Sequence, residues 1–192
     1  METQSKSIRM AKINDPLKLL GSFLGKELSQ TPKVFWLWEL VLKGQDFARF
    51  IDIGTWRGNL SFYFHLFCLE RNAEFYTFDT RRKWGLDLSE LKEKLEFGKH
   101  FKQMDIFQHI EEIGNLIKKE GKTIIFCDDG NKPREFNTFS PYLKVADIIA
   151  VHDWNTEVPP ESVKESCLKH NLSEIYSKEC DEEGMIRIFQ KA

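Results

Sequence analysis

The chain has 192 residues, 41% of them hydrophobic and 30% charged, with a formal net charge of −2. That length suits one domain with a sizeable core, and bases interspersed among acids argue against a polyanionic partner such as nucleic acid. No run of about 18 uninterrupted apolar residues occurs, which excludes a membrane-spanning helix of the usual kind.

The opening METQSKSIRMAKIND lacks the apolar stretch of a secretory signal. Cys68, Cys127, Cys167 and Cys180 fall in no zinc or disulfide spacing, so reduced thiols in a cytoplasm are expected. Residues 1 to about 12 are polar and without periodicity, the mark of a loosely ordered tail. Helices are predicted over Pro16–Leu28 and Pro32–Lys43, the second from Val34, Leu37, Leu40 and Val41 at helical spacing behind Pro32. Residues 1–47 thus read as a tail and helices capping a domain at 48–192.

From there strands and helices alternate. Ala48–Ile53 is a short apolar run ending in glycine, and Leu60–Glu70 reads as a buried helix. Glu74–Phe78 is strand-like, Leu88, Leu91 and Leu95 mark a helix face, and Lys99–Met104 is a third strand. Ile106, Ile110, Ile113 and Ile117 form a helical stripe before a strand at Lys122–Cys127. A short helix over Arg134–Leu143, a strand at Ala146–Val151 and a helix over Pro160–His170 follow. Ser173–Cys180 and Met185–Gln190 read as two strands joined by the acidic turn Asp181–Gly184. The pattern predicts a doubly wound α/β fold, a mostly parallel seven-stranded sheet closed by a C-terminal antiparallel hairpin.

The most informative segment is FIDIGTWRGNLSFYF, Phe50 to Phe64. A strand delivers Asp52, Gly54 and Gly58 directly into a helix, where glycines allow a sharp turn and helix amides favour a phosphate or a carboxylate. The spacing is neither GxxxxGK[ST] nor GxGxxG, since Trp56 and Arg57 stand where a dinucleotide loop wants small residues. An acid at Asp52 suits a ligand carrying an ammonium group better than a pyrophosphate. The basic run Arg81-Arg82-Lys83 reads as a solvated loop.

FIDIGTWRGNLS resembles the first motif of class I S-adenosylmethionine-dependent methyltransferases, particularly small-molecule O-methyltransferases with a (D/E)-x-G-x-x-x-G loop. The resemblance implies that Asp52 meets the amino group of S-adenosylmethionine and that Gly54 and Gly58 border its methionine and ribose. The family often has a serine where this chain has Leu60, so Asn59 or Ser61 would hold the carboxylate. Asp79, closing EFYTFDT, stands where the family binds the ribose hydroxyls. Asp105, after HFKQMD, stands where the family reads adenine, and is equally placed to N-cap the helix that follows.

IIFCDDGNKPREF and IIAVHDWN resemble the "DGDH" and "HD(W/T)" segments of a cephalosporin-hydroxylase-like subgroup, several members of which bind Mg²⁺. The resemblance implies Asp129 and Asp153, with Asp128, as metal ligands, and Asp129, His152 and Asp153 as catalytic groups. A hard cation lowers the pKa of an acceptor hydroxyl, which suits methyl transfer to oxygen. Asn131 and Lys132 replace the second acid and the histidine of "DGDH", and Lys132 would compete electrostatically with a cation. Trp154, Trp36 and Trp38 are candidates for the acceptor pocket as well as for the core. The expected partner is a small molecule, with no nucleic acid and no membrane. Two other readings share the fold. A nicotinamide-dependent oxidoreductase is disfavoured by the loop spacing and Asp52, and a non-catalytic protein is suggested by Leu60 and the altered acidic segment.

Overall fold

A computed structural model describes residues 21–28, 30–81 and 89–192. Seven strands form one sheet: β1 (Arg49–Ile53), β2 (Glu74–Asp79), β3 (Phe101–Gln103), β4 (Thr123–Cys127), β5 (Ile148–Val151), β6 (Leu172–Ile175) and β7 (Arg187–Lys191). Their spatial order is β3-β2-β1-β4-β5-β7-β6. The first five run parallel, and β7 is antiparallel to both β5 and β6.

The helices are α1 (Lys33–Lys43), α2 (Asn59–Glu70), α3 (Ser89–Lys94), α4 (Ile110–Lys118), α5 (Lys132–Phe139), α6 (Glu161–Lys169) and α7 (Ser177–Glu183). The period-2 alternation of the strands divides their side chains between two cores. Phe50, Phe126, Ile148 and Ile188 pack with Trp38 of α1, Phe64 of α2 and Cys180 of α7. Ile51, Ile125, Ile149 and Phe189 pack on the other face with Ile113 and Ile117 of α4, Phe136 of α5 and Val163 of α6. Trp38 stands edge-on to Phe64 and Phe126, at ring separations of 5.0 and 5.1 Å, so it is a core residue.

Two predicted elements differ. Pro16–Leu28 is not a helix where it is described. Ser22–Phe23 pairs antiparallel with Lys26–Glu27 across Leu24 and Gly25, both at positive φ, the geometry of a tight hairpin. Residues 16–20 of that prediction, and Leu88 of the later one, lie outside the described residues. At the C-terminus only Ser173–Ile175 of the predicted strand is extended, within β6. Tyr176 turns at φ 57 and the acidic stretch becomes α7, ended by Gly184 at φ 98. The supposed turn is the last turn of a helix, whose Cys180 is buried, while the antiparallel strand pairing is as predicted.

The order reverses between β1 and β4, which places a crevice beyond the carboxyl ends of those strands. The N-terminal segment reaches over it. Gly21 and Leu28 close the hairpin base through Gly21 N–H to Gln30 O at 2.7 Å and Leu28 N–H to Gly21 O at 2.8 Å. Thr31 Oγ1 then donates to Glu183 Oε1 of α7 at 2.7 Å, and Lys33 Nζ donates to Glu182 O at 2.5 Å.

Candidate functional site

The crevice holds a cavity of about 280 Å³, just below the usual range for small-molecule sites. The loop after β1 makes one wall. Gly54 sits at φ +110, and a Cβ there would lie 2.3 Å from the carbonyl oxygen of Asp128, so only glycine fits. Gly58, left-handed at φ 71, starts α2 but does not itself line the cavity. Asp79, at the end of β2, ties the loop down. Its Oδ2 accepts from Trp56 N–H at 2.7 Å and its Oδ1 from Arg81 N–H at 2.9 Å. Each oxygen keeps a further lone pair for a ligand hydroxyl.

Asp52 is buried in the same wall. Thr77 Oγ1 donates to its Oδ2 at 2.7 Å, and Ser61 also hydrogen-bonds it. Burial pushes its carboxyl up to about 7 against these two hydrogen bonds, with Asp128 and Asp79 adding to the rise. Among the described residues no ion pair reaches it. Asp105 is not among the lining residues. It accepts from Phe107 N–H at 3.0 Å and from Gln108 Nε2 at 3.1 Å, which is the N-cap arrangement.

The opposite wall comes from the ends of β4 and β5. Asp128, His152 and Asp153 bring ligand atoms within 4.8 Å of one another. His152 Nδ1 lies 3.1 Å from Asp128 Oδ1 and 3.2 Å from Asp153 Oδ1. Neither contact meets hydrogen-bond alignment, and among the described residues the buried Nε2 has no hydrogen-bond partner. Burial opposes charge on this imidazole, but Asp128 and Asp153 beside it win and lift its pKa to about 10. Lys132 Nζ lies 2.9 Å from Asp153 Oδ2 and 2.8 Å from Glu157 Oε2. These carboxylates raise the Lys132 pKa despite burial, and His152 and Lys132 together hold the Asp153 carboxyl low against its own burial. Gln30 Nε2 donates to Asp128 Oδ2 at 2.6 Å.

The predicted metal pair, Asp129 with Asp153, is therefore not the group that converges; Asp128 joins His152 and Asp153 instead. Asp129 lines the cavity separately, its pKa raised by burial and by Asp79. Its loop is held by Glu135, which accepts from Asp129 N–H at 3.3 Å and from Asn131 N–H at 3.0 Å. Trp154 does not line the cavity but packs on Phe189 at 6.0 Å, and neither Trp36 nor Trp38 lines it. Trp56 does, as do Leu28, Gln30, Thr55 and Arg81, none of which the sequence reading placed there. Trp56 lies inside the glycine loop, a signal available in the sequence; Gln30 reaches the site only through tertiary packing.

No family model and no curated protein matches the sequence. Solved structures do match in shape. The magnesium- and S-adenosylmethionine-bound cmcI structure aligns at TM-score 0.60 with 14% identity, covering 86% of this chain and 75% of that one. The SAH-bound methyltransferase PaMTH1 of Podospora anserina gives 0.54 and 12%, covering 86% and 80%. A putative caffeoyl-CoA O-methyltransferase of Staphylococcus aureus gives 0.53 and 11%, covering 81% of each chain. The chain has the Rossmann-like methyltransferase fold.

Within this methyltransferase fold, two groups can be tested against the residues present. An uncompensated buried carboxylate beside a glycine loop, Asp52, fits a ligand ammonium. The acid cluster fits a dication less well, because the Lys132 ammonium and the His152 imidazolium already face its oxygens.

Proposed function

We propose that this chain is an S-adenosylmethionine-dependent methyltransferase acting on a hydroxyl of a small molecule. The observation that carries the reading is Asp52. It is buried, its carboxyl is pushed up to about 7, and it shares one cavity with Asp79 and the His152 cluster. A buried carboxylate without a cation is costly, and a ligand that brings an ammonium removes the cost.

When bound, S-adenosylmethionine supplies an electrophilic methyl group: its C–S bond breaks as the acceptor O–C bond forms, and the bonding pair passes to sulfur. The chain's own groups do the rest. Asp52 holds the ammonium, Asp79 accepts from ribose hydroxyls, and Asn59 meets the carboxylate, since Ser61 is turned to Asp52. Gly54 and Gly58 shape the loop, while Asp105, as a cap, steadies the segment after β3 where adenine would lie. Asp129 takes the hydroxyl proton, since it lines the cavity and its raised pKa suits a base better than an ordinary aspartate. His152 keeps its proton beside Asp128 and Asp153, so its role is to place positive charge near the developing reaction, with Asp153 orienting it. Residues 48–192 carry the site, and the segment before them covers it through Leu28 and Gln30.

No described helix is long and apolar enough to cross a membrane, and the four cysteines are free thiols. A reducing cytoplasm is the compartment that fits those thiols. Isothermal calorimetry with S-adenosylhomocysteine tests the assignment. A one-to-one complex with roughly micromolar affinity is expected. Absence of heat with a folded chain would sink it, and a response to a nicotinamide nucleotide instead would favour the oxidoreductase.

A further inference from the structure

In the cluster formed by Asp128, His152 and Asp153, three side-chain nitrogens stand close to the four carboxylate oxygens. Asp128 Oδ1 faces His152 Nδ1 at 3.1 Å, and Asp128 Oδ2 accepts from Gln30 Nε2 at 2.6 Å. Asp153 Oδ1 faces the same His152 nitrogen at 3.2 Å, and Asp153 Oδ2 pairs with Lys132 Nζ at 2.9 Å. A dication bound to Asp153 would meet the lysine ammonium as like charge on like, in a partly desolvated pocket where such repulsion is strong.

The position of Lys132 is itself unusual. It is the first residue of α5, where the helix dipole disfavours a cation, yet its side chain is only 7% exposed. Asp153 and Glu157 are what hold it there. The neighbouring Asn131, where the resemblance calls for a second acid, accepts from Arg134 N–H at 3.2 Å and is used as the helix N-cap. The segment has exchanged an acid for a cap and gained an internal cation.

We propose that Lys132 takes the place of a divalent cation in this cluster, its ammonium holding Asp153 beside the cavity, so that the reaction proceeds without a metal. The role in methyl transfer rests on the reading above, but the test reads metal binding by itself. Lys132 then supplies the fixed positive charge near the acceptor oxygen.

The probe is Mn²⁺, followed by the paramagnetic resonance of the free ion in the presence of full-length protein. Wild type should leave the free-ion signal undiminished at roughly millimolar Mn²⁺. Lys132→Asn should remove one equivalent of signal per chain, and adding Asp153→Asn should restore it. Capture of an equivalent by wild type overturns the proposal. So does a Lys132→Asn chain with a native circular-dichroism melt that captures none. Should that variant not fold, Lys132→Met, which keeps the apolar stem, is read by the same two criteria. Calorimetry with S-adenosylhomocysteine is run in parallel, so loss of the nucleoside site and capture of metal register as separate failures.

Discussion

The two walls of the cavity treat their acids in opposite ways. On the β1–β2 side Asp52 is buried with hydroxyl partners and, among the described residues, no counter-ion, and its carboxyl climbs to about 7. On the β4–β5 side Asp128 and Asp153 are matched by His152, Lys132 and Gln30, and the Asp153 carboxyl falls below the ordinary range. Among the described residues Asp52 meets no cation, whereas Asp128 and Asp153 stand beside His152, Lys132 and Gln30. The difference tells which wall receives a charged ligand and which presents charge already in place.

The strongest way to break this contrast is to break the backbone contact that joins the walls. Gly54→Ala forces a Cβ to 2.3 Å from the Asp128 carbonyl at φ +110. It should cost about 4 kcal/mol of stability in urea unfolding, and a loss under 1 would mean the walls are not coupled there. Next, Asp79→Ala removes the acceptor for Trp56 N–H and Arg81 N–H. S-adenosylhomocysteine affinity should fall about 100-fold, or roughly 2.7 kcal/mol, by calorimetry.

The electrostatic half of the contrast is sharpened by pH. Asp52 is protonated below about 7 and must ionise to pair with an ammonium, so binding expels a proton. Affinity should therefore rise about tenfold per unit as pH climbs toward that value and level off above it. The sign for stability runs the other way. A carboxyl raised by folding contributes stability that is lost as pH rises through its folded value. Asp52→Asn should flatten the binding profile, and a profile left unchanged would remove Asp52 from the site. The smallest effect belongs to Ser61→Ala. Losing a hydrogen bond that lowers the Asp52 pKa should move the profile's midpoint upward by about half a unit.

How much was legible follows from what each signal depends on. The parallel strands and their order of appearance were readable because β1, β4 and β5 are buried on both faces, so their apolar runs are continuous. Asp52, Gly54 and Asp79 were readable because strand ends and glycine turns fix them locally. The choice between Asp128 and Asp129 was not. Adjacent residues leaving a strand point apart, and only the path toward the Asn131 cap decides which one turns to His152. Asp105 carried two meanings in sequence, and the structure shows the local one, a cap on Phe107. The hairpin at 22–27 was misread because a two-residue turn in a short amphipathic stretch leaves too few positions to separate period 2 from period 3.6. The residues that close α7 misled for a related reason: acids and a glycine mark a turn and a helix C-terminus equally well.

Thr31 and Glu183, 152 positions apart, share the hydrogen bond that anchors the segment carrying Leu28 and Gln30 over the crevice. The shelter above the carboxylates is thus stitched from the two extremes of the described chain. During synthesis the roof is made before its floor, and its anchor on α7 emerges last. A nascent polypeptide stalled short of Glu183 lacks the Thr31 hydrogen bond, so the cover beside Asp128 is fastened at fewer points.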